Sequence, residues 1–390
     1  MAPPTPPPSQ ADVLATLRGV VDPELGSDIV DLEMVQEVDV AEDGLVRVKV
    51  ALTIAGCPLR AQIRDDVKAK LRAVPGVSDV KVEFGEMNQA QRSAVMQRAR
   101  KKASENAPAT EVPLTTRILA VASGKGGVGK SSVTVNLASS LAMRGFTVGV
   151  LDADIWGFSV PRMLGVSGRL VAADERRIQP AEIPVGEGRL KVVSMGLLVE
   201  DEDMAIMWRG LMLAKAFEEF LRKVAWGAMD YLLIDMPPGT GDIQMALGRL
   251  LPRAGMLIVT TPAVAVQKVA VRVGDMARRS YLTVLGVIEN MTEFVCEHGQ
   301  RYALFGTGGG EALAEDLGVP LVGQIPLEPA VSTANDAGHP LSVAAPGSLA
   351  ANAFDEVARR IAEELLPPVN MEGCTARVLA SVEAALGAPT

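Results

Sequence analysis

The segment Gly124-Lys125-Gly126-Gly127-Val128-Gly129-Lys130-Ser131 decides the fold, because it has the form Gly-x-x-x-x-Gly-Lys-Ser of a phosphate-binding loop. An apolar strand pattern, 118–122, precedes it and a helical pattern follows it. Glycines let backbone N–H groups close around nucleotide phosphates, and the following helix presents the positive end of its dipole to them. We expect residues 124–132, Ser132 included, to hold the nucleotide, with Lys130 on the β- and γ-phosphates and the Ser131 hydroxyl on Mg²⁺. The alternative is a glycine-rich surface turn.

Two later apolar runs end in carboxylates, as the strands of a ligand-binding α/β sheet often do. One ends in Asp152-Ala153-Asp154, and the other ends in Asp235, followed by the glycine-rich run 237–242. Open α/β sheets bind ligands at the carboxyl ends of their strands, so we expect Asp235 to hold Mg²⁺ beside the phosphate loop. Gly239 lacks a side chain and can offer its backbone N–H to the γ-phosphate. A lone acid after a strand is usually a strand end or a helix cap, but acids in this order favour one site.

The pattern of apolar runs divides the chain into two folded regions. From Arg117 to Leu366, strand patterns alternate with helical segments, which predicts an α/β fold with a doubly wound, mostly parallel sheet. Before it, two helices and three strand patterns, the first two strands joined at Glu42-Asp43-Gly44, predict a small α+β domain with a hairpin. The predicted domains are a disordered proline-rich tail (1–10), the α+β domain (11–87), a helix and linker (88–116), the P-loop domain (117–366) and a C-terminal tail (367–390).

Composition and charge indicate which classes of partner this chain is not expected to bind. The chain has 390 residues, 48% of them hydrophobic, and a formal net charge of -9. Since nonspecific binding to nucleic acid or to an anionic membrane depends on a basic surface, we expect neither partner. The basic residues between Arg92 and Lys102 are interpreted as a solvated helix face.

The cysteine count and the lack of long apolar runs point to the cytoplasm. Three cysteines, Cys57, Cys296 and Cys374, are too few for a disulfide framework and indicate a reducing setting. The proline-rich start has no apolar core of a signal peptide, and no apolar run reaches the roughly 18 residues that a membrane span needs.

A second lysine, Lys125, stands near the start of the phosphate loop, where its side chain cannot easily reach phosphates held by its own loop. The loop resembles the deviant loop of the MinD, ParA, arsenite-pump and nitrogenase iron-protein ATPases, in which this lysine contacts nucleotide in a partner protomer. The resemblance implies an ATP-gated homodimer. The alternative is a solvated lysine on a loop.

The same resemblance implies roles for three further residues. In these ATPases the second acid of the Asp-x-Asp motif orients the attacking water, which implies that Asp154 acts in catalysis together with Lys125 and Lys130. A water-mediated contact with Mg²⁺ is implied for Asp152. Asn290, which ends another apolar run, is expected to read the adenine edge.

Several short motifs follow one another in a set order after the phosphate loop: 152–157, 161–165, 208–210, 235–242, 289–291 and 305–310. Over residues 115–345 this order resembles the Mrp/ApbC family of iron–sulfur cluster carriers. Three N-terminal segments, 22–25, 28–32 and 52–58, resemble the PaaD-like domain of iron–sulfur assembly factors. The resemblance implies an ATP-hydrolysing carrier that works with cluster assembly factors and passes clusters to apo iron–sulfur client proteins.

The chain departs from that family at the cluster-binding motif. The family usually carries Cys-x-x-Cys after the strand of Asn290, so that two subunits supply four thiolates to one shared [4Fe–4S] cluster. Here Cys296 is present but Gly299 replaces the second cysteine, so two subunits offer only two thiolates. His298 is a candidate for the remaining ligands or else an exposed histidine, and Cys296 is either a ligand or an ordinary thiol.

The missing cysteine keeps other functions open. One is a cluster-free ATP-dependent dimer switch or adaptor in metalloenzyme maturation, and another is an electron donor like the nitrogenase reductase, which also needs a cluster. Cys57 is interpreted as a packed cysteine near a turn, with a transfer or redox role as the alternative, and Cys374 as incidental. A MinD-like membrane positioner is disfavoured, because the last helical pattern ends in Glu363-Glu364 and the tail is not basic.

Overall fold

The structure, a computed structural model, describes residues 6–22, 27–52, 59–105, 107–154, 157–174, 177–197 and 210–368. Contacts divide the chain into two compact units, residues 1–107 and 108–390. The boundary between Ala107 and Pro108 follows the helix that the sequence predicts ahead of the P-loop domain.

The first unit contains three helices and five strands in its described part. The helices are α1 (Gln10–Leu17), α2 (Arg60–Arg72) and α3 (Gln89–Glu105). The strands are β1 (Val21–Asp22), β2 (Ser27–Asp28), β3 (Val35–Val40), β4 (Leu45–Leu52) and β5 (Asp79–Glu86). β3 and β4 form the predicted antiparallel hairpin, and β4 pairs in parallel with β5.

Side-chain periodicity explains the core of this unit. Alternate residues of β4 point to opposite faces, which buries Val46, Val48 and Val50 together. Ile63 and Val67 lie one helical turn apart in α2 and are buried on one side of that helix. A small α+β domain is therefore confirmed.

The second unit contains nine strands in its described part. They are β6 (Arg117–Ser123), β7 (Thr147–Asp152), β8 (Ala181–Val185), β9 (Gly188–Ser194), β10 (Tyr231–Asp235), β11 (Gly255–Thr260), β12 (Thr283–Val295), β13 (Arg301–Tyr302) and β14 (Leu321–Leu327). Their order is β8, β9, β7, β10, β6, β11, β12 and β14, and β13 pairs with the far end of β12. Neighbours are parallel except β8 on β9 and β13 on β12. The predicted mostly parallel sheet is confirmed.

Helices flank this sheet. They are α4 (Lys130–Met143), α5 (Val160–Met163), α6 (Gly210–Lys223), α7 (Asp242–Leu250), α8 (Val264–Arg279), α9 (Gly309–Leu317), α10 (Pro329–Asp336), α11 (Leu341–Ala344) and α12 (Leu349–Arg360). A 3₁₀ turn (Met195–Leu197) and a π-helical segment (Ile361–Leu365) are also formed. None of the described helices combines the length and apolar character that a bilayer crossing requires.

Apolar side chains pack against both faces of the sheet, as a doubly wound fold requires. On one face lie α6 to α9, with Phe217, Leu247 and Leu313 in the core. On the other lie α4 and α12, with Leu137 and Phe354 in the core. Because the central strands are covered on both faces, they form continuous apolar runs, and the polar groups at their carboxyl ends stand together at one edge.

Candidate functional site

The phosphate loop runs from the end of β6 to the start of α4. Gly127 and Gly129 have φ angles of 82° and 79°, in the left-handed region where an L side chain is disfavoured by about 1 kcal/mol or more. Gly129 is the residue before the first helical position, Lys130. The first turn of a helix leaves backbone N–H groups without helical partners, so this end of α4 suits a phosphate.

Two glycines of the loop serve different purposes. A Cβ at Gly124 would stand 2.6 Å from the backbone nitrogen of Ala270 in α8, so this glycine is needed for close packing between the loop and that helix. A Cβ at Gly126 would meet no atom within 4 Å, which leaves that side of the loop open to a ligand. The loop thus pairs a packed inner side with an accessible outer side.

Asp235, at the end of β10, accepts hydrogen bonds from three residues of α4. Lys130 Nζ lies 2.7 Å from Oδ1, Thr134 Oγ1 lies 3.0 Å from Oδ1, and Ser131 Oγ lies 2.5 Å from Oδ2. Asp235 is fully buried and Lys130 is 7% exposed. The structure therefore brings the three predicted residues together and adds Thr134, which sequence reasoning missed.

Asp152, at the end of β7, lies beside Asp235 in the sheet register and is fully buried. Its Oδ2 accepts from Ser194 Oγ at 3.2 Å and from the backbone nitrogen of Ser159 at 3.1 Å. Burial, together with the neighbouring Asp235 carboxylate, raises the pKa of Asp152 to about 7. Ser194, a further residue that the sequence did not indicate, thus helps to hold this carboxyl in place.

Asp154 stands nearer the surface than the other two acids. Its Oδ2 lies 3.8 Å from Lys130 Nζ, and its side chain is 16% exposed. Burial raises the pKa of Asp154, while the Lys130 ammonium opposes that shift. The Asp235 carboxylate and the Ser131 hydroxyl offer oxygen atoms of the kind that Mg²⁺ prefers, and water and nucleotide phosphates would supply its other ligands. The residues present therefore fit a magnesium ion.

Lys125 lies exposed at the mouth of a cavity of about 210 Å³. The cavity is lined by loop residues 125–127 and 129–132, together with Asp154, Ser159 and Pro238. Lys125 thus combines solvent exposure with a place in the lining of this cavity. The predicted role across a dimer stays a prediction.

Asn290, on β12, contacts the underside of the phosphate loop. Its Nδ2 donates to the Val128 carbonyl at 2.9 Å, and a Cβ at Gly129 would come within 2.3 Å of the same nitrogen. Asn290 is 6% exposed. The side-chain amide therefore supports the loop backbone, and its reading of adenine stays a prediction.

The segment after β10 contains Gly239, whose φ of 87° lies in the left-handed region. Its backbone N–H, which the sequence assigns to the γ-phosphate, donates to the Ser123 carbonyl at 2.8 Å. Contact with a γ-phosphate therefore requires that N–H to exchange partners. The buried side chain of Gln244 also bonds this segment, a contact that no sequence motif indicated.

Cys296 begins the turn between β12 and β13. Its backbone N–H donates to the Gln300 carbonyl at 3.0 Å, and its carbonyl accepts from Gly299 at 2.8 Å. Gly299 has a φ of 78°, so this tight turn suits glycine at the position where the family has its second cysteine. Cys296 is half-buried and His298 is exposed.

Cys296 and His298 of one chain do not by themselves complete a cluster site. No group of three or more His, Cys, Asp or Glu side chains that could hold a metal ion occurs among the described residues. Cys57 and Cys374 lie outside the described residues, as do parts of the motifs at 22–25, 52–58, 152–157 and 208–210.

Comparison with known proteins gives two family matches. A family model described as NUBPL iron-transfer P-loop NTPase matches residues 115–362. A second, described as iron–sulfur cluster assembly protein, matches residues 10–84. Both domain resemblances derived from the sequence are therefore confirmed.

Two similar proteins share the description iron–sulfur cluster carrier protein. The chain is 42% identical over 345 residues to the iron–sulfur cluster carrier protein of Mycobacterium bovis, covering 87% of this chain and 89% of that one. It is 43% identical over 355 residues to the iron–sulfur cluster carrier protein of Deinococcus radiodurans, covering 90% and 95%. Among solved structures, the nucleotide-binding protein of Archaeoglobus fulgidus in complex with ADP is 37% identical, covering 57% of this chain and 86% of that chain, with a TM-score of 0.48.

Proposed function

The chain belongs to the family of NUBPL iron-transfer P-loop NTPases, whose curated relatives are iron–sulfur cluster carriers, and from this premise we propose that it is a Mg²⁺-dependent ATPase that carries iron–sulfur clusters to apo client proteins. The observation that best supports the ATPase is the buried network of Lys130 with Asp235, Ser131 and Asp154 at the start of α4. Similarity to an iron–sulfur cluster carrier protein along 87% of the chain supports the proposal that the cargo is an iron–sulfur cluster.

Hydrolysis needs a water oxygen to bond to the γ-phosphorus as the bond from phosphorus to the ADP oxygen breaks. In this proposal Lys130 binds the β- and γ-phosphates, Ser131 and Asp235 would hold Mg²⁺, and Asp152 would contact the ion through water. Mg²⁺, when bound, neutralises charge on the phosphate oxygens. Asp154, partly exposed and close to Lys130, orients the attacking water.

The proposed assembly is a homodimer. Lys125 is exposed at the mouth of the nucleotide cavity, which supports a contact with nucleotide held by a second copy. Each copy has one candidate thiolate ligand, Cys296, in the turn after β12. A cluster that bridges the dimer would therefore need the cysteines of both copies. His298 or an external ligand completes the coordination of a cluster that we propose to be [4Fe–4S].

We place this activity in the cytoplasm, a reducing compartment in which free thiolates persist as ligands. Cluster assembly factors would supply the cargo, and apo iron–sulfur proteins would receive it. The glycine at 299 favours one rival function, a cluster-free ATP-dependent dimer switch in metalloenzyme maturation, because it supplies no second thiolate and its positive φ disfavours a cysteine there.

Anaerobic reconstitution tests the proposal. The full chain is incubated with iron and sulfide, desalted, and assayed for bound iron, bound sulfide and visible absorption. It is then mixed with an apo iron–sulfur enzyme, in the presence of an iron chelator, with ATP, with ADP or with neither. We expect bound cluster and recovery of the client's activity, with equal amounts of free iron and sulfide as the control. A desalted protein without iron would support the cluster-free switch instead.

A further inference from the structure

Gln244 bonds the segment Pro237–Gly241 at three points from the first turn of α7. Its Oε1 accepts from the Gly241 backbone nitrogen at 2.9 Å. Its Nε2 donates to the carbonyls of Pro237 at 3.1 Å and Gly239 at 2.9 Å. The side chain is 1% exposed, so water does not compete for these bonds. One amide therefore fixes both ends and the middle of this glycine-rich segment.

This segment and the residue just before it are also bonded to β6. The Gly239 backbone N–H donates to the Ser123 carbonyl at 2.8 Å, and the Met236 N–H donates to the Val121 carbonyl at 3.0 Å. Ser123 is the last residue before the phosphate loop. Gly239 is therefore held on two sides, with its N–H on Ser123 and its carbonyl on Gln244.

Backbone geometry leaves Gly239 able to change its N–H partner. Its φ of 87° is one that glycine adopts without strain, and a Cβ there would meet no atom within 4 Å. The Ser123 bond and a bond to a phosphate oxygen compete for one N–H. A charged acceptor forms the stronger hydrogen bond, so a γ-phosphate within reach displaces the neutral carbonyl.

We propose that Gln244 is a positioning residue for the response to the γ-phosphate. It holds the Gly239 carbonyl while the Gly239 N–H leaves the Ser123 carbonyl for the γ-phosphate, so that ATP and ADP leave the segment in different positions. The proposal rests on the nucleotide site of the proposed function and adds to it the residue that makes the segment sensitive to the third phosphate.

The test compares affinities for ADP and for a nonhydrolysable ATP analogue, measured by calorimetry with Mg²⁺ on the full chain. Gln244→Glu keeps an acceptor for Gly241 but, when ionised, donates to neither carbonyl. Gln244→Ala removes all three bonds. Gln267→Ala is the matched control, because Gln267 makes a hydrogen bond to Asp316 on the outside of α8.

We expect ADP affinity to stay within about twofold in every variant, because the loop from Gly124 to Lys130 is untouched. Affinity for the analogue should fall about tenfold or more in both Gln244 variants and stay unchanged in Gln267→Ala, in line with the loss of more than one buried hydrogen bond. A purely structural role would lower both affinities together. An unchanged ratio of the two affinities in Gln244→Glu, with the variant folded, overturns the inference. A wild-type protein that hydrolyses no ATP would contradict the proposed ATPase and leave this ratio as the separate test of Gln244.

Discussion

Lys130 Nζ and Asp235 Oδ1 lie 2.7 Å apart in the interior of the second unit, across the gap between α4 and β10. Both side chains are buried, so each compensates the charge of the other where water cannot. The lysine that we propose for the phosphates is thereby bonded to the acid that we propose for Mg²⁺. Substitution of Lys130 therefore tests the proposed nucleotide site.

Lys130→Ala should weaken the binding of ADP and ATP by at least about tenfold, because it removes charge-assisted hydrogen bonds worth roughly 1.5 to 3 kcal/mol each. The variant also leaves Asp235 without its ammonium partner, which should lower the free energy of unfolding by about 3 kcal/mol. Calorimetry with Mg-nucleotide, at a temperature where thermal melting shows the variant folded, measures the first effect. Wild-type affinity in this variant would remove Lys130 from the nucleotide site.

Lys125→Ala should spare ADP binding and abolish both ATP-induced dimerisation and hydrolysis, if the exposed lysine acts on nucleotide in a second copy. Sedimentation with a nonhydrolysable ATP analogue measures the dimer fraction. Lys268→Ala, which removes an exposed lysine from α8, is the control. An unchanged dimer fraction in Lys125→Ala would reduce Lys125 to a surface charge.

Asp154→Ala should retain ATP and lose turnover, because the carboxyl stands near Lys130 and the cavity without taking part in the bonds that hold Asp235. Asp154→Asn, similar in size, should behave in the same way, since the amide lacks the negative charge. Single-turnover phosphate release and a parallel binding titration separate the two effects. Turnover equal to wild type in both variants would leave the attacking water without its proposed orienting group.

Cys296→Ser should abolish the iron and sulfide retained after anaerobic reconstitution, since a hydroxyl is a far poorer ligand for iron–sulfur clusters than a thiolate. His298→Ala should lower retention if imidazole is a ligand. Cys374→Ser, outside the described residues, should change nothing. With two thiolates per dimer, the bound iron should also pass readily to a chelator, which suits a carrier. Full retention by Cys296→Ser would shift attention to Cys57 or to the cluster-free switch.

Tyr231→Phe should lower the free energy of unfolding by about 1 kcal/mol at pH 7, because the Tyr231 hydroxyl donates to the Leu366 carbonyl at 2.9 Å from a buried ring. Burial raises the pKa of Tyr231 to about 12, above its ordinary value of about 10. The folded protein therefore binds the phenol proton more tightly than the unfolded chain does. The contribution of this tighter proton binding to the free energy of unfolding is fully present below about pH 10 and is lost as the pH rises toward about 12.

Urea unfolding at pH 7 and at pH 11 measures both effects of Tyr231→Phe. The variant should lose less stability than wild type between these two pH values. Tyr302→Phe, which removes an exposed hydroxyl, should match wild type at both. If Tyr231→Phe lost as much stability as wild type between pH 7 and pH 11, another titrating group would account for that loss.

Much of the second unit could be predicted because its signals are local. The phosphate loop is a run rich in glycine and lysine, and the central strands are continuous apolar runs, two of which, β7 and β10, end in an acid. Two antiparallel members of the sheet, β8 and β13, could not be predicted, because they lie at its margins and lack that apolar signal. Each pairs with a strand close to it in sequence, β8 with β9 and β13 with the end of β12. For such strands the packing context decides the pairing more than an intrinsic backbone preference does.

The site was predictable in its residues and less so in its bonds. Asp235 and Lys130 belong to motifs. Thr134, in α4, and Ser194, at the end of β9, belong to no motif. They reach the acids only after the sheet has formed, so periodicity gives no sign of them. The bond from Gly239 to Ser123 is likewise a product of strand register and not of a motif.

The turn at Cys296 has a consequence for protein engineering. With a φ of 78°, Gly299 occupies a backbone state in which cysteine would carry a strain of about 1 kcal/mol, although the space around it is open. Restoring a four-thiolate dimer is therefore more than a change of one side chain. A change in the length or the hydrogen bonds of the turn would let a second sulfur be held beside the first without that strain.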